Sequence, residues 1–287
     1  MNQLVPDRLR ELWQQVDRQE LTAEEFQAEQ ERLLDTYRRT WTQALSLDGS
    51  SDLEKSLLAE LGRYVACDDQ EALRARCRRA VDDLRHEWGE GVDRDRRESV
   101  ERFYDASDTP LYELTLWHTL VDDLSPLAYV VALHYAQRHH CTSYLDFGSG
   151  VGSGVILFAR HGLAVTAADI SGPLLGFCRW RMAQRGLPGT YVDVKTTRLP
   201  SEAFDMITAM DVFEHLVDPI DTVEELWRAL RPGGFLFGRF GTESDDNHPM
   251  HIVEDFEPTF ARLRALGGVE VWRDQWLWGH QVFRKAS

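Results

Sequence analysis

The chain of 287 residues carries 32 basic and 48 acidic side chains, a formal net charge of −16, and is long enough for one or two domains with a real core. A surface this negative repels phosphate backbones and anionic lipid headgroups, so neither nucleic acid nor a membrane is the expected partner. Cys67, Cys77, Cys141 and Cys178 include no Cys-x-x-Cys pair, which excludes a zinc knuckle and a disulfide framework and leaves the reduced thiols of a cytoplasmic protein as the expectation.

Met1 to Arg8 contains no apolar core of signal-peptide length, and no later run is long enough to span a bilayer. The acidic excess is concentrated in the front, where residues 1–125 carry 17 basic and 29 acidic groups. This front reads as helices. Thr22-Ala23-Glu24-Glu25 and Ser51-Asp52-Leu53-Glu54 both fit the capping box, in which a hydroxyl and a glutamate three residues on satisfy orphan amides at a helix start. Behind the first, Phe26, Leu33, Leu34, Tyr37, Trp41 and Leu45 recur at helical spacing; behind the second, Leu53, Leu57, Leu58, Leu61, Tyr64 and Val65 do so. The short break at Asp48-Gly49-Ser50 suggests that these two helices pair antiparallel. A third helix is predicted from Asp69 to Trp88, ending before Gly89-Glu90-Gly91, and Asp93-Arg94-Asp95-Arg96-Arg97 reads as a solvated face or linker.

Ser125-Pro126 opens a helix expected to reach His139 or His140. Short β-rich runs then alternate with helical ones: Ser143 to Phe147, Ala164 to Asp169, Thr190 to Val194, Phe204 to Met210, Phe235 to Phe240, Val269 to Arg273 and Leu277 to Phe283. The predicted fold class is α/β, a Rossmann-like doubly wound and mainly parallel sheet with an antiparallel edge, preceded by a helical domain. The boundary falls at 124/125, and the helical domain, residues 1–124, would serve as a lid, an acceptor pocket or a dimerising surface.

Asp146-Phe147-Gly148-Ser149-Gly150-Val151-Gly152-Ser153-Gly154 lies at the end of the first strand. Alternate glycines let backbone approach a ligand beside a helix N-terminus. The dinucleotide fingerprint fails on spacing, since the sixth place is Ser153 counted from Gly148 and Val155 counted from Gly150. A carboxylate at Asp146 suits an ammonium group better than a pyrophosphate. Asp169, about twenty residues on at the end of the second strand, suits the two hydroxyls of a ribose. No lysine follows a glycine, which excludes a Walker A loop. Phe204 to His215 and Arg231-Pro232-Gly233-Gly234 complete the set.

In these residues, about Ser143 to Phe240, the chain resembles the class I S-adenosylmethionine-dependent methyltransferases, particularly the branch acting on small molecules. The resemblance implies S-adenosylmethionine as cofactor. It places Asp146 and the backbone at Gly148, Ser149, Gly150 and Gly152 on the methionyl end, Asp169 on the ribose, Ile170 against the adenine, and Asp211 with Val212 along the methionine side. Where members often carry an adenine-binding aspartate, this chain has Lys195, with Asp193 nearby. His215 is the candidate base, and its alternative role is packing the cofactor loop. His248 and His251, with Glu254 or Asp255, have metal-compatible spacing, but a pocket or surface role is the expectation and no metal is assigned. Tyr104, Tyr112 and Trp117 are core or lid, and Trp276 with Trp278 read as one face of a strand.

The expected activity is methyl transfer to an oxygen or nitrogen of a small-molecule metabolite, with homodimerisation possible. A nucleic-acid methyltransferase and a non-catalytic cofactor-binding module remain as alternatives. Asp211-Val212-Phe213-Glu214 stands where amino-methylating base enzymes carry an Asn-Pro-Pro-Tyr-like sequence.

Overall fold

A computed structural model describes residues 3–120, 125–242, 250–253 and 255–287. Six helices come first: α1 (Val5–Asp17), α2 (Ala23–Leu45), α3 (Leu53–Val65), α4 (Gln70–Gly91), α5 (Arg97–Ala106) and α6 (Thr109–Leu116). The capping box of α2 is formed as expected, with Thr22 and Glu25 bonding each other's amides. For α3 the cap moves one residue on: Asp52, not Ser51, accepts from the Lys55 amide at 2.9 Å. A carboxylate at that position takes the orphan donor and suits the positive helix end.

Helix α4 starts on Asp69 as predicted but runs through Gly89 to Gly91, because Trp88 is buried beside Leu84, Val100 and Met250 and anchors its last turn. The expected pairing of α2 with α3 is replaced by two other arrangements. Helix α2 packs on α1 and on the later helix Ser153–Arg160, whereas α3 packs on α4, α6 and the helix Gly172–Gln184.

The sheet part follows in the order α7 (Ala128–Arg138), β1 (Ser143–Phe147), α8 (Ser153–Arg160), β2 (Ala164–Asp169), α9 (Gly172–Gln184), β3 (Thr190–Asp193), β4 (Phe204–Ala209), α10 (Pro219–Ala229), β5 (Leu230–Gly238), α11 (Glu257–Ala265), β6 (Val269–Arg273) and β7 (Gln281–Arg284). Spatial order is β3-β2-β1-β4-β5-β7-β6. The first five strands pair parallel, and β7 runs antiparallel to both β5 and β6. The fold class read from the sequence is thus the one observed. One correction concerns the last strand, which starts at Gln281 and not Leu277. The Asp274 carboxylate accepts from the amides of Trp276, Leu277 and Trp278 at 2.8–2.9 Å, folding that stretch into a turn. Trp276 leaves the sheet and packs on Trp13 and Phe26.

Period-two alternation gives the sheet two buried faces. Tyr144, Val165, Met206 and Phe237 face α7 and α8, with α1 and α2 outside them, and Leu145, Ile207 and Leu236 face α10 and α11. The Tyr37 hydroxyl joins three helices, accepting from the Val5 amide at 3.2 Å and lying 3.1 Å from His134 Nδ1. Front and sheet meet again in a fully buried ion cluster. Arg181 of α9 lies 3.1 Å from the Glu60 carboxylate of α3, which also binds Arg185. Among the described residues no helix is long and apolar enough to cross a membrane.

Candidate active site

The C-terminal ends of β1, β2 and β4 converge where the strand order reverses, the usual crevice for ligands in open α/β sheets. After β1 the chain turns through Gly148, with φ +70°, and its amide donates to Ala168 O at 2.8 Å. A methyl group on this glycine would come within 2.4 Å of Val212 Cγ2, so the β1 and β4 loops touch only because it has no side chain. Gly152, φ +79°, caps α8 against Cys178.

Asp169 closes this loop. One carboxylate oxygen accepts from the Gly150 amide and the other from the Ser171 amide, both at 2.8 Å. Each oxygen keeps a lone pair for a ligand hydroxyl. Burial raises its pKa, while the amides of Ser171 and Gly150 oppose the rise.

Asp146 lies deeper and is fully buried. Its Oδ1 accepts from Thr208 Oγ1 at 2.9 Å and from the Tyr129 hydroxyl at 3.3 Å. Its Oδ2 and the Ser149 hydroxyl are buried with no hydrogen-bond partner among the described residues. Burial pushes the Asp146 carboxyl up to about 7 against the opposing pull of its hydrogen bonds. A buried carboxylate oxygen lacking a donor fits a cationic group, and the Asp169 oxygens fit a ribose, so the residues present suit S-adenosylmethionine.

The far wall comes from the front helices. Ser171 Oγ donates to Tyr104 O at 2.9 Å, and the Gly172 amide donates to Asp105 Oδ1 at 3.2 Å. Lys195 binds the Ile170 carbonyl and lies 3.2 Å from Asp105 and 3.0 Å from Asp193. Lys195, at the position where the resembling family often carries an adenine-binding aspartate, thus pins α5 to the rim. Ile170 packs in one cluster with Phe103, Tyr104 and Val217. Leu114 of α6 would lie 3.1 Å from a methyl on Gly150, so α6 covers the glycine turn. Of the three aromatics read as core or lid, only Tyr104 reaches this rim. Tyr112 stacks under Arg76, and Trp117 is half exposed, donating to Cys77 O.

After β4, Asp211 adopts a left-handed backbone with φ +51°, costly for a non-glycine residue and characteristic of functional turns. Its carboxylate lies 3.0 Å from Arg239 Nη1. Burial alone would raise its pKa, but His280, His118 and Arg239 outweigh it and hold the carboxyl low. His280 is itself buried, with no hydrogen-bond partner on either ring nitrogen among the described residues, and burial pushes it down to about 4. His215 follows in a short helical turn, Phe213–His215, with Nδ1 at 3.1 Å from Met250 O. A carbonyl only accepts, so Nδ1 carries the hydrogen and Nε2 the lone pair. Burial, then the neighbouring His251, lowers this imidazole to about 4, leaving it neutral near pH 7.

The structure thus brings Asp146, Gly148, Ser149, Gly150, Gly152, Asp169, Ile170, Asp211, Val212 and His215 to the C-terminal ends of β1, β2 and β4 and the turns that follow them. His248, Pro249 and Glu254 lie outside the described residues. His251 instead stands beside His215 and Glu214. Sequence reasoning missed Tyr129 and Leu114, on helices with no motif of their own, Arg239 and His280, in loops flanking β5 and β7, and the role of Thr208 within the Phe204 to His215 run.

Residues 145–238 match the family described as a methyltransferase domain. Over these residues the chain is similar to a methyltransferase domain. The ubiquinone biosynthesis O-methyltransferase of Histophilus somni is 33% identical over 100 residues, 32% of this chain and 42% of that protein. Its counterpart from Coxiella burnetii is 33% identical over 95 residues, 32% of this chain and 41% of the relative. The chain therefore spans less than half the length of the curated relatives it matches. A SAM-dependent methyltransferase from Leishmania major superposes with a TM-score of 0.50 at 17% identity, covering 69% of this chain and 88% of that one, a likeness of fold.

Proposed function

We propose that the protein transfers a methyl group from S-adenosylmethionine to an oxygen or nitrogen of a small-molecule acceptor in the cytoplasm. One observation carries this reading: Asp146 Oδ2, unpartnered among the described residues, would lie 2.5 Å from a methyl on Gly154 and so borders the glycine turn that the Asp169 carboxylate fastens, which supports a cation acceptor and a hydroxyl acceptor serving one ligand. When bound, the sulfonium supplies an already activated methyl group. The chain then has to position the reactants, an effect worth about 7–11 kcal/mol for well-aligned partners. Tyr104, Ile170 and Leu114 exclude water from the cofactor side. His215, with its Nε2 lone pair, activates the acceptor. The front helices α5 and α6 act as the lid, and the matched O-methyltransferases support oxygen as the first acceptor class to screen.

The test is calorimetric binding of S-adenosylmethionine, followed by methyl transfer to a panel of phenols, alcohols and amines. Asp169→Ala is expected to weaken cofactor binding at least tenfold, since two ribose hydrogen bonds of about 1 kcal/mol each are lost. His215→Ala should lower turnover with cofactor affinity nearly intact. Unchanged affinity in the first variant overturns the site assignment, and equal loss of both properties in the second reduces His215 to packing.

A further inference from the structure

We infer that Glu214, His215 and His251 bind one divalent transition-metal ion of the zinc class. The ion's place on the acceptor side of the crevice rests on the function proposed above, whereas its binding chemistry does not.

The three side chains each offer a donor atom, and these atoms all lie within 4.8 Å of one another. Glu214 is fully buried and His251 nearly so. The donors come from two segments separated by more than thirty residues in the chain, and main-chain bonds hold those segments in register. The amides of Ile252 and Val253 donate to Glu214 O at 2.8 and 3.2 Å. The Met250 carbonyl fixes the His215 ring through Nδ1 at 3.1 Å, which leaves Nε2 as the ligating nitrogen. A histidine whose second nitrogen is held by a backbone carbonyl has the tautomer and orientation set for a metal. The His215 and His251 rings meet edge to face, with centroids 4.8 Å apart.

Two imidazoles and one carboxylate are the donor set of open metal sites, which keep a position for water or substrate. Magnesium and calcium select oxygen-only ligands and suit it poorly. Bonds of about 2.1 Å in a tetrahedron set donors roughly 3.4 Å apart, a contraction within reach of side-chain torsions. In this arrangement His215 Nε2 activates the acceptor through the ion it holds, in keeping with the turnover loss expected of His215→Ala. The acceptor is then one that brings a metal-binding hydroxyl or amine to the open position.

Chelator-stripped full-length protein titrated with Co²⁺ should take up one ion per chain, with visible bands that Zn²⁺ abolishes. Glu214→Gln and His251→Ala are each expected to weaken Co²⁺ binding at least tenfold, while calorimetric affinity for S-adenosylmethionine stays within about threefold and so verifies folding. Absent uptake, or variants that bind Co²⁺ as the parent does, overturns the inference. The two proposals fail separately: cofactor binding without cobalt uptake removes the metal, and cobalt uptake without cofactor binding removes the methyltransferase reading.

Discussion

Asp146 carries a pH dependence whose sign follows from its burial. In the folded protein its carboxyl titrates at about 7, against about 4 in an unfolded chain. Between those values the folded state holds a proton the unfolded state has lost, so this group's contribution to stability falls as pH rises from 4 to 7 and is flat above. An ammonium ligand needs the ionised form. Affinity for S-adenosylmethionine should therefore rise about tenfold from pH 6 to 8, and Asp146→Asn should both weaken binding and flatten the profile in calorimetry. Gly148 makes a second prediction at this scale. Alanine there adds a methyl 2.4 Å from Val212 at a φ of +70°, so Gly148→Ala should lower both melting temperature and cofactor affinity. Val212→Ala in the same chain should restore part of the loss by removing the collision but not the backbone strain.

The elements most legible in the sequence are those whose signal is local. The strand ends at Phe147 and Asp169 and the α2 capping box needed only period, glycine and hydroxyl placement. Three elements escaped that reading, one through distant packing and two through a carboxylate a few residues away. Burial of Trp88 carries α4 through two glycines, the Asp274 carboxylate curls Trp276 to Trp278 out of a strand pattern, and Asp52 displaces Ser51 as a cap. The candidate site divides in the same way. Its glycine turn and terminal aspartates were readable, whereas Tyr129 and Thr208, which hold Asp146, are brought there by packing alone. Asp274→Ala leaves three half-buried turn amides without their acceptor and should cost about 2 kcal/mol in urea unfolding.

For the whole molecule, the deciding contact is Glu60 between Arg181 and Arg185, all three fully buried at their charged ends. Burial would raise the Glu60 carboxyl, but the two guanidiniums outweigh it and hold it below the usual range. Its stabilisation is therefore complete above the ordinary glutamate value near 4.3 and is lost as pH falls through the lower folded value. Glu60→Gln leaves two buried cations facing a neutral amide and should destabilise the protein by about 3–5 kcal/mol in chemical denaturation. The same guanidinium of Arg181 also donates to Val151 O at 2.8 Å and Ser153 Oγ at 3.2 Å, within the glycine turn.

That shared guanidinium sets an order of events during folding. The Arg181–Glu60 contact closes a loop of 121 residues, so its entropic cost is met only after both partners have formed locally. On dilution from denaturant, helical ellipticity should recover in an early phase and cofactor-binding competence in a slower one, because the glycine turn is braced only once α3 has docked. Glu60→Gln should slow the second phase and spare the first. The maturation of the ligand turn is thus timed by a helix that contributes no atom to it.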